Sequence, residues 1–307
     1  MNPYSYSHGE FHPNLHLKQT TRNWLHYMVD FPAAHPTRYE QNNTVRGEYF
    51  QPRGADNAPL AILLHGVGDY SVIPCKLLAR TLLNKGIACF ILYLVVHSSR
   101  MPETVRKRFP VLTADEWFES YQTSVIEVRQ VIDWASSRQE IGRENIAVLG
   151  ISFGGFISAI AMGVDERIKA GVFIVMGGKG EKITWKNRLG AFKKEYRRTE
   201  AEYQHLQSSY LQYIAQVAEK GFENVTPAIQ NFLTDPMTFA HLLCHRPILM
   251  INARWDEAIP REATLDFWKA AGEPDITWLP ATHATIWLWY PSITTKIAGF
   301  LSSTFRA

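Results

Sequence analysis

The sequence has few cysteines and no pattern that is typical of a metal site. Its 307 residues include Cys75, Cys89 and Cys244, an odd number with no short spacing between them. Such a set does not build the disulfide framework of a small secreted domain, and it indicates a reducing compartment. Neither C-x-x-C nor H-E-x-x-H occurs, so the sequence provides no reason to expect a bound metal ion.

Long apolar runs and an excess of charge of one sign are also lacking. The longest apolar run, residues 86–96, is too short to cross a membrane and is typical of a core strand. The first ten residues are polar and lack the apolar core of a signal peptide. The formal net charge of +3 is too small to indicate nucleic-acid binding. We therefore expect a cytoplasmic protein with no membrane span and no nucleic-acid partner, while a homo-oligomer is compatible with the sequence.

What the chain does contain is a serine placed between an apolar strand and a helix. Residues 146–149 form a continuous apolar run, as in a strand that is covered on both faces. Gly150-Ile151-Ser152-Phe153-Gly154 follows and matches G-x-S-x-G, and the small and apolar residues 153–162 predict a helix. The glycines fit the chemistry because the serine sits in a strained turn where nearby side chains would collide. Ser152 is the predicted nucleophile.

Apolar strands alternate with helices along most of the chain. Thr113 and Glu116, for example, have the spacing of a capping box and introduce a long helix. The alternation predicts an α/β fold with a mostly parallel, doubly wound sheet. The predicted strands cover residues 44–50, 60–64, 87–95, 146–149, 170–176, 246–252 and 275–279, and the main predicted helices cover 73–85, 113–137, 153–162 and 293–304.

Two segments depart from this alternation. Residues 1–40 have little periodicity and predict an extended N-terminal arm with a short helix near 21–29, followed by the main domain at 41–307. Residues 179–245 contain no core strand but have helical composition. An insertion at the carboxyl ends of parallel strands lies over the site, so a helical lid or substrate-binding cap is predicted here.

The insertion carries a basic cluster, Lys193, Lys194, Arg197 and Arg198. We interpret it as a solvated helix face. The alternative is a role in attracting anionic substrates.

A serine hydroxyl needs a base to take its proton and a carboxylate to orient that base. In the strand–turn–helix arrangement the chain order is Ser, then Asp or Glu, then His. Asp256 comes just beyond a predicted strand, where an acid would face the site; Glu257 is the local alternative but would point elsewhere in a turn. His283 lies in the loop that leaves the last predicted strand, whereas His241 and His245 precede their strand and fit less well.

The negative charge that develops on a substrate carbonyl oxygen needs preorganised hydrogen-bond donors. The backbone N–H of Phe153, directly after the serine, is one predicted donor of this oxyanion hole. The loop after strand 60–64 reads His-Gly-Val-Gly at 65–68 and is similar to a His-Gly oxyanion signature. The N–H of Val67 is the predicted second donor, with either neighbouring glycine as the alternative. His65 is expected to bond the loop rather than to act as a base.

Together these residues resemble the α/β-hydrolase superfamily over about residues 45–305. The resemblance rests on the His-Gly pair at 65–66, the Ser152 motif, Asp256 and His283, in the right order and at the right strand ends. It implies an eight-stranded sheet and no cofactor.

Within the superfamily, the sequence is similar to the dienelactone-hydrolase and prolyl-oligopeptidase-like branch. The similar residues are the two glycines after Phe153, the Asp235-Pro236 pair and the segment from Asp256 to Pro260. One departure is that the usual glycine before the acid is replaced by Ala253 and Arg254.

The expected function is that of a serine hydrolase, a carboxylesterase acting on a small-molecule acyl substrate through an acyl-enzyme intermediate. An amidase, peptidase or acyltransferase with the same residues is the first alternative. Peptidases of the related branch commonly carry a propeller domain, for which this chain has no room. The second alternative is a non-catalytic hydrolase fold that binds a ligand, for which a broken triad would be expected.

Overall fold

One sheet of nine strands runs through the described part of the chain. The structure is a computed structural model that describes residues 2–7, 12–67, 72–95, 98–109, 111–188, 196 and 198–306. The strands are β1 Asn14–Thr20, β2 Trp24–Pro32, β3 Thr44–Pro52, β4 Ala58–Leu64, β5 Ala88–Tyr93, β6 Ile141–Ile151, β7 Ile168–Ile174, β8 Ile248–Ala253 and β9 Asp275–Leu279. Their spatial order is β1-β2-β3-β5-β4-β6-β7-β8-β9.

The sheet is antiparallel at one edge and parallel elsewhere. The pairs β1–β2, β2–β3 and β3–β5 are antiparallel. All pairs from β5–β4 through β8–β9 are parallel. The predicted mostly parallel sheet is therefore confirmed, and every strand predicted from residue 44 onward is present.

The helices cover both faces of the sheet, which confirms the predicted doubly wound arrangement. They are α1 Val72–Leu83, α2 Glu103–Arg106, α3 Ala114–Ser136, α4 Phe153–Val164, α5 Gly180–Lys186, α6 Glu200–Lys220, α7 Arg261–Ala270 and α8 Tyr290–Thr304. Helices α3, α4 and α7 contribute to the core on one face, and α1 and α8 to the core on the other. No helix in the described ranges combines the length and the apolar character that crossing a membrane requires.

Strand β4 illustrates why the central strands are continuously apolar. Leu60, Ile62 and Leu64 point into the core on the α3 side, whereas Ala61 and Leu63 point into the core on the α1 side. All five side chains are fully buried. A strand that is covered on both faces has no solvent side, so its sequence does not alternate.

The short helix predicted near 21–29 is wrong, because this segment forms β2. Strand β2 pairs along its whole length with β3, from Trp24 opposite Pro52 to Pro32 opposite Thr44. Its buried residues Val29 and Phe31 are two positions apart, which is the strand period. Pairing with a distant strand, which local sequence does not report, decided the conformation.

The implied number of eight strands is also wrong, and the ninth strand is β1 at the sheet edge. It is joined to β2 by a tight turn in which Thr21 Oγ1 accepts from the N–H of Trp24 at 3.0 Å. Strand β1 is mostly exposed. Its sequence therefore lacks the apolar alternation by which a strand is recognised.

Residues 179–245, here called the insertion, connect β7 to β8. Their described part contains α5, α6 and four short 3-10 segments: Phe222–Asn224, Gln230–Thr234, Pro236–Thr238 and Ala240–Leu243. Helix α6 begins with a capping box between Thr199 and Glu202. Of the basic cluster, Arg198 is exposed, while Lys193, Lys194 and Arg197 lie outside the described residues.

Candidate active site

Ser152 sits at a strained turn between β6 and α4. Its φ is 51° and its ψ is −114°, a conformation that disfavours a non-glycine residue by about 1–3 kcal/mol. A Cβ atom on Gly150 would lie 2.1 Å from the carbonyl oxygen of Gly154, and one on Gly154 would lie 2.3 Å from that of Leu64. Because backbone atoms occupy both places, only glycine fits there. The flanking residues thus have the steric role that the motif predicts.

The structure brings Ser152, His283 and Asp256 into one hydrogen-bonded row. His283 Nε2 lies 3.0 Å from Ser152 Oγ. On the other side of the ring, Nδ1 lies 2.9 Å from Asp256 Oδ2 and 3.0 Å from Oδ1. A carboxylate only accepts hydrogen bonds, so the row fits the tautomer with the proton on Nδ1, in which Nε2 can accept from the serine hydroxyl.

The Asp256 carboxylate is itself held by the turn that follows β8. Its Oδ1 accepts from the backbone N–H of Ala258 at 2.9 Å and from that of Ile259 at 2.7 Å. The side chain is 6% exposed, and that of His283 is 22% exposed. The two backbone hydrogen bonds thus fix the orientation of the carboxylate independently of the imidazole, while the imidazole ring remains partly exposed to solvent.

Glu257, the alternative acid, does not contact the imidazole nitrogen but binds the histidine's main chain. Its Oε2 accepts from the backbone N–H of His283 at 3.0 Å. This contact was not predicted from the sequence, in which Glu257 appears only as an alternative to Asp256. The one available signal was a second carboxylate next to the predicted acid.

The loop predicted to supply an oxyanion donor begins beside the serine. Strands β4 and β6 pair with Leu64 opposite Gly150, so the loop that starts at His65 leaves the sheet next to the turn. The buried His65 ring accepts from the N–H of Leu94 at Nε2 (3.1 Å) and donates from Nδ1 to the carbonyl of Gly66 (2.7 Å). His65 therefore bonds the loop, as predicted.

The two predicted oxyanion donors lie on the elements expected for them. Val67 is in this loop and is 37% exposed, and Phe153 is the first residue of α4. Gly68, part of the alternative assignment, lies outside the described residues. The backbone N–H of Phe153 lies in the first turn of α4, directly after Ser152.

An aromatic cluster next to the serine was not predicted. The Phe153 ring packs edge-on against Tyr121, with centroids 5.0 Å apart, and against Trp117 at 5.9 Å. Trp117 Nε1 donates to the hydroxyl of Tyr196 at 2.9 Å. That hydroxyl also donates to the carbonyl of Leu112 at 3.0 Å and accepts from its N–H at 3.1 Å. The insertion, through Tyr196, is therefore tethered to α3 close to the turn.

A second tether joins the insertion to the turn that carries Asp256. Asn187 Nδ2 donates to the carbonyl of Ala258 at 3.2 Å, and the N–H of Arg188 donates to the carbonyl of Glu257 at 3.0 Å. Both donors directly follow α5 in the chain. The insertion is thus bonded both to α3 and to the turn after β8, which are distant from each other in sequence.

The insertion also contains two neighbouring carboxyl groups, that of the buried Asp235 and that of the partly buried Glu181. Asp235 accepts from the N–H groups of Lys179 (3.0 Å), Gly180 and Met237 (2.9 Å). Burial, together with the nearby charge of Asp235, raises the pKa of Glu181 to about 7. Within the described residues, Glu181 Oε2 is buried without a hydrogen-bond partner. Glu181 is therefore expected to be largely protonated below neutral pH.

Comparison with solved structures finds the same fold in esterases. An acetyl xylan esterase from Paenibacillus sp. R4 is 17% identical with a TM-score of 0.66, and the alignment covers 95% of this chain and 89% of that one. Acetyl xylan esterase 1 from Thermoanaerobacterium sp. JW/SL YS485 is 13% identical with a TM-score of 0.64 and the same coverage of both chains. A cold-adapted esterase from an Arctic intertidal metagenomic library is 13% identical with a TM-score of 0.59, covering 94% of this chain and 99% of that one.

Comparison of the sequence identifies the family. Curated proteins provide no match. The model of the family described as alpha/beta hydrolase domain containing 18 matches residues 30–241. This range includes Ser152 and most of the insertion, whereas Asp256 and His283 lie beyond it. The chain belongs to the alpha/beta hydrolase domain containing 18 family and has the α/β-hydrolase fold.

Proposed function

We propose that this protein is a serine hydrolase that cleaves a carboxylic ester of a small molecule through an acyl-enzyme intermediate. The observation that carries the proposal is the hydrogen-bonded row from Ser152 through His283 to Asp256, built on a strained turn. A serine without such partners is a weak nucleophile near neutral pH. The esterases among the structures of the same fold support the ester as substrate.

In the proposed first step, Ser152 Oγ attacks the carbonyl carbon of the ester, and its proton passes to His283 Nε2. Asp256 keeps Nδ1 protonated and stabilises the imidazolium that forms. The N–H groups of Phe153 and Val67 donate to the developing oxyanion. When the C–O bond breaks, the imidazolium returns its proton to the leaving alkoxide, and the acyl group remains on Ser152.

In the second step, a water molecule attacks the acyl carbonyl. His283 removes the proton from the water, and the same two N–H groups hold the oxyanion again. Breaking the bond to Ser152 Oγ releases the carboxylic acid, and the proton on His283 restores the serine hydroxyl. In each step His283 therefore first acts as a base and then as an acid, while the two N–H groups stabilise the oxyanion both times.

We further propose that the insertion, residues 179–245, is a cap that selects the substrate. Its hydrogen bonds to Trp117, whose ring packs against Phe153, and to the carbonyl of Glu257, next to Asp256, support this role. Trp185 and Trp255, which are 38% and 61% exposed, offer apolar surface for an acyl or alcohol group.

The three free thiols of the chain support the cytoplasmic location proposed from the sequence.

The test is hydrolysis of p-nitrophenyl esters from acetate to palmitate by the wild type, by Ser152→Ala and by Ser303→Ala, an exposed serine in α8 as control. We expect turnover by the wild type and the control, and a loss of about three or more powers of ten in kcat for Ser152→Ala. A fluorophosphonate should label all but Ser152→Ala. Retention of most ester turnover by Ser152→Ala would refute the assignment.

The same panel separates the proposed esterase from its alternatives. Labelling of Ser152 without turnover of any ester would favour an amidase, a peptidase or an acyltransferase. Absence of both turnover and labelling would favour a protein that only binds a ligand.

A further inference from the structure

Two consecutive carboxylates hold different parts of the same histidine. Asp256 contacts the ring of His283 at Nδ1, whereas Glu257 accepts from the backbone N–H of His283 at 3.0 Å. The second contact has no part in the mechanism described above. It acts on the main chain that carries the proposed base.

The main chain at His283 needs such support because it lies outside regular secondary structure. His283 follows the end of β9 and precedes the short 3-10 segment Thr285–Trp289. Bonds from the N–H of Trp255 to the carbonyl of Ala281 (3.0 Å) and between Thr282 and Thr285 (2.9 Å) hold the loop on either side. The bond from Glu257 acts at the histidine itself.

The main chain of Glu257 is in turn hydrogen-bonded to the insertion. Its carbonyl accepts from the N–H of Arg188 at 3.0 Å, and the next carbonyl, that of Ala258, accepts from Asn187 Nδ2 at 3.2 Å. Asn187 is buried, with 7% of its surface exposed. The side chain of Glu257 thus faces the histidine loop, while its main chain is bonded to the insertion.

We propose that Glu257 is a positioning residue for the hydrolysis proposed above, on which this inference rests. Its carboxylate holds the backbone of His283 so that Nε2 stays 3.0 Å from Ser152 Oγ. Glu257 acts through His283, since its carboxylate contacts the main chain of that residue and not the serine.

Removal of the acceptor in Glu257→Ala frees the backbone N–H of His283 and lets the loop relax. A misplacement of about 1 Å between reacting groups can lower a rate about a hundredfold. We expect kcat to fall about 10- to 100-fold with KM within about twofold, because the interaction lost affects the chemical step and not substrate binding. Glu257→Gln keeps a side-chain oxygen that accepts the same bond, so it should retain most of kcat.

The experiment uses the p-nitrophenyl ester that the wild type hydrolyses fastest, and it compares Glu257→Ala, Glu257→Gln, Ser152→Ala and Glu144→Ala. Glu144→Ala is the matched control, because it removes an exposed carboxylate at the amino half of β6. Steady-state kcat and KM are measured with the rate of fluorophosphonate labelling, which also requires a well-placed His283. A purely structural role for Glu257 would lower the amount of folded enzyme, and with it the apparent kcat at unchanged KM, but it would leave kcat per folded molecule unchanged. It would also leave the labelling rate per folded molecule unchanged.

The expected result is a parallel loss of kcat and labelling rate in Glu257→Ala, recovery in Glu257→Gln and no change in Glu144→Ala. The inference is overturned if Glu257→Ala keeps kcat within about twofold of the wild type, or if Glu257→Gln is as impaired as Glu257→Ala. Should Glu257→Ala fail to fold, Glu257→Gln decides alone, since loss of its kcat overturns the inference and retention supports it. Failure of the proposed function is distinguishable, because it appears as activity retained in Ser152→Ala whatever the Glu257 variants do.

Discussion

The carboxylate of Asp256 accepts from two sets of donors, and a change to asparagine separates them. One set is the backbone N–H pair of Ala258 and Ile259, at 2.9 and 2.7 Å from Oδ1. The other is Nδ1–H of His283, 2.9 Å from Oδ2. In Asp256→Asn the amide oxygen can keep the first set, which leaves the NH₂ group facing the ring.

An NH₂ group donates and cannot accept, so it favours the histidine tautomer with the proton on Nε2. That tautomer cannot take the proton of Ser152. The same change in a serine-protease triad lowers kcat about ten-thousandfold with little change in geometry. We therefore expect a loss of similar size here, about 5.5 kcal/mol in transition-state free energy. Because the turn keeps its hydrogen bonds, the free energy of unfolding should change by less than about 1 kcal/mol.

The assay is ester hydrolysis and fluorophosphonate labelling together with urea unfolding, and Asp275→Asn, an exposed residue at the start of β9, is the control. Asp256→Ala should lose activity equally and also be less stable by about 1–3 kcal/mol, because two buried N–H groups lose their acceptor. If Asp256→Asn were well folded and kept activity within about tenfold of the wild type, the carboxylate would not orient the base, and the proposed role of Asp256 would be refuted.

Three further predictions concern stability, each read from urea unfolding. Gly154→Ala should lower the free energy of unfolding by at least about 1–3 kcal/mol, because its Cβ would lie 2.3 Å from the carbonyl oxygen of Leu64. Gly299→Ala in α8, where no atom lies within 4 Å of the added Cβ, is the control and should be neutral or stabilising. Equal stability of the two variants would contradict this prediction. Glu181 binds a proton more tightly in the folded protein, where its pKa is raised from 4.5 to about 7, so the free energy of unfolding should fall by up to about 3 kcal/mol as pH rises through this range. Glu181→Gln should remove this pH dependence. The same pH dependence in wild type and Glu181→Gln would refute the role of Glu181. In the wild type, the fully buried carboxylate of Glu127 accepts two hydrogen bonds from Arg100, each 2.6 Å long. Arg100→Met leaves this carboxylate without its cation and should lower the free energy of unfolding by about 3–5 kcal/mol. A decrease of less than about 1 kcal/mol would be inconsistent with a buried ion pair.

Local sequence was sufficient wherever neighbouring residues decide the conformation. The apolar run into Gly150 and the small residues after Ser152 predicted the strand, turn and helix that the structure has. The spacing of Thr113 and Glu116 predicted a capping box that is present. These features depend on side chains within a few positions of each other, so a single stretch of sequence contains the information that they need.

The first two strands show where local information was insufficient. A short helix was expected near residues 21–29, but residues 24–32 pair with Thr44–Pro52 as β2. What favours the strand is a partner edge at β3 and a core that receives Val29 and Phe31. Neither is visible in the segment itself, and β1 depends on β2 in the same way.

In the candidate site, too, local sequence predicted some features and tertiary packing decided others. The residue types and their order along the chain were enough to nominate Ser152, Asp256 and His283, because nucleophile, acid and base follow strand ends in a fixed order in this architecture. Only the tertiary structure decided that Glu257 binds the backbone of His283 and that Tyr196 reaches Trp117. These contacts join loops from different parts of the chain, and their geometry depends on how the strands and the insertion pack. Sequence spacing does not encode that packing, because side chains far apart in the chain meet only after the sheet has formed.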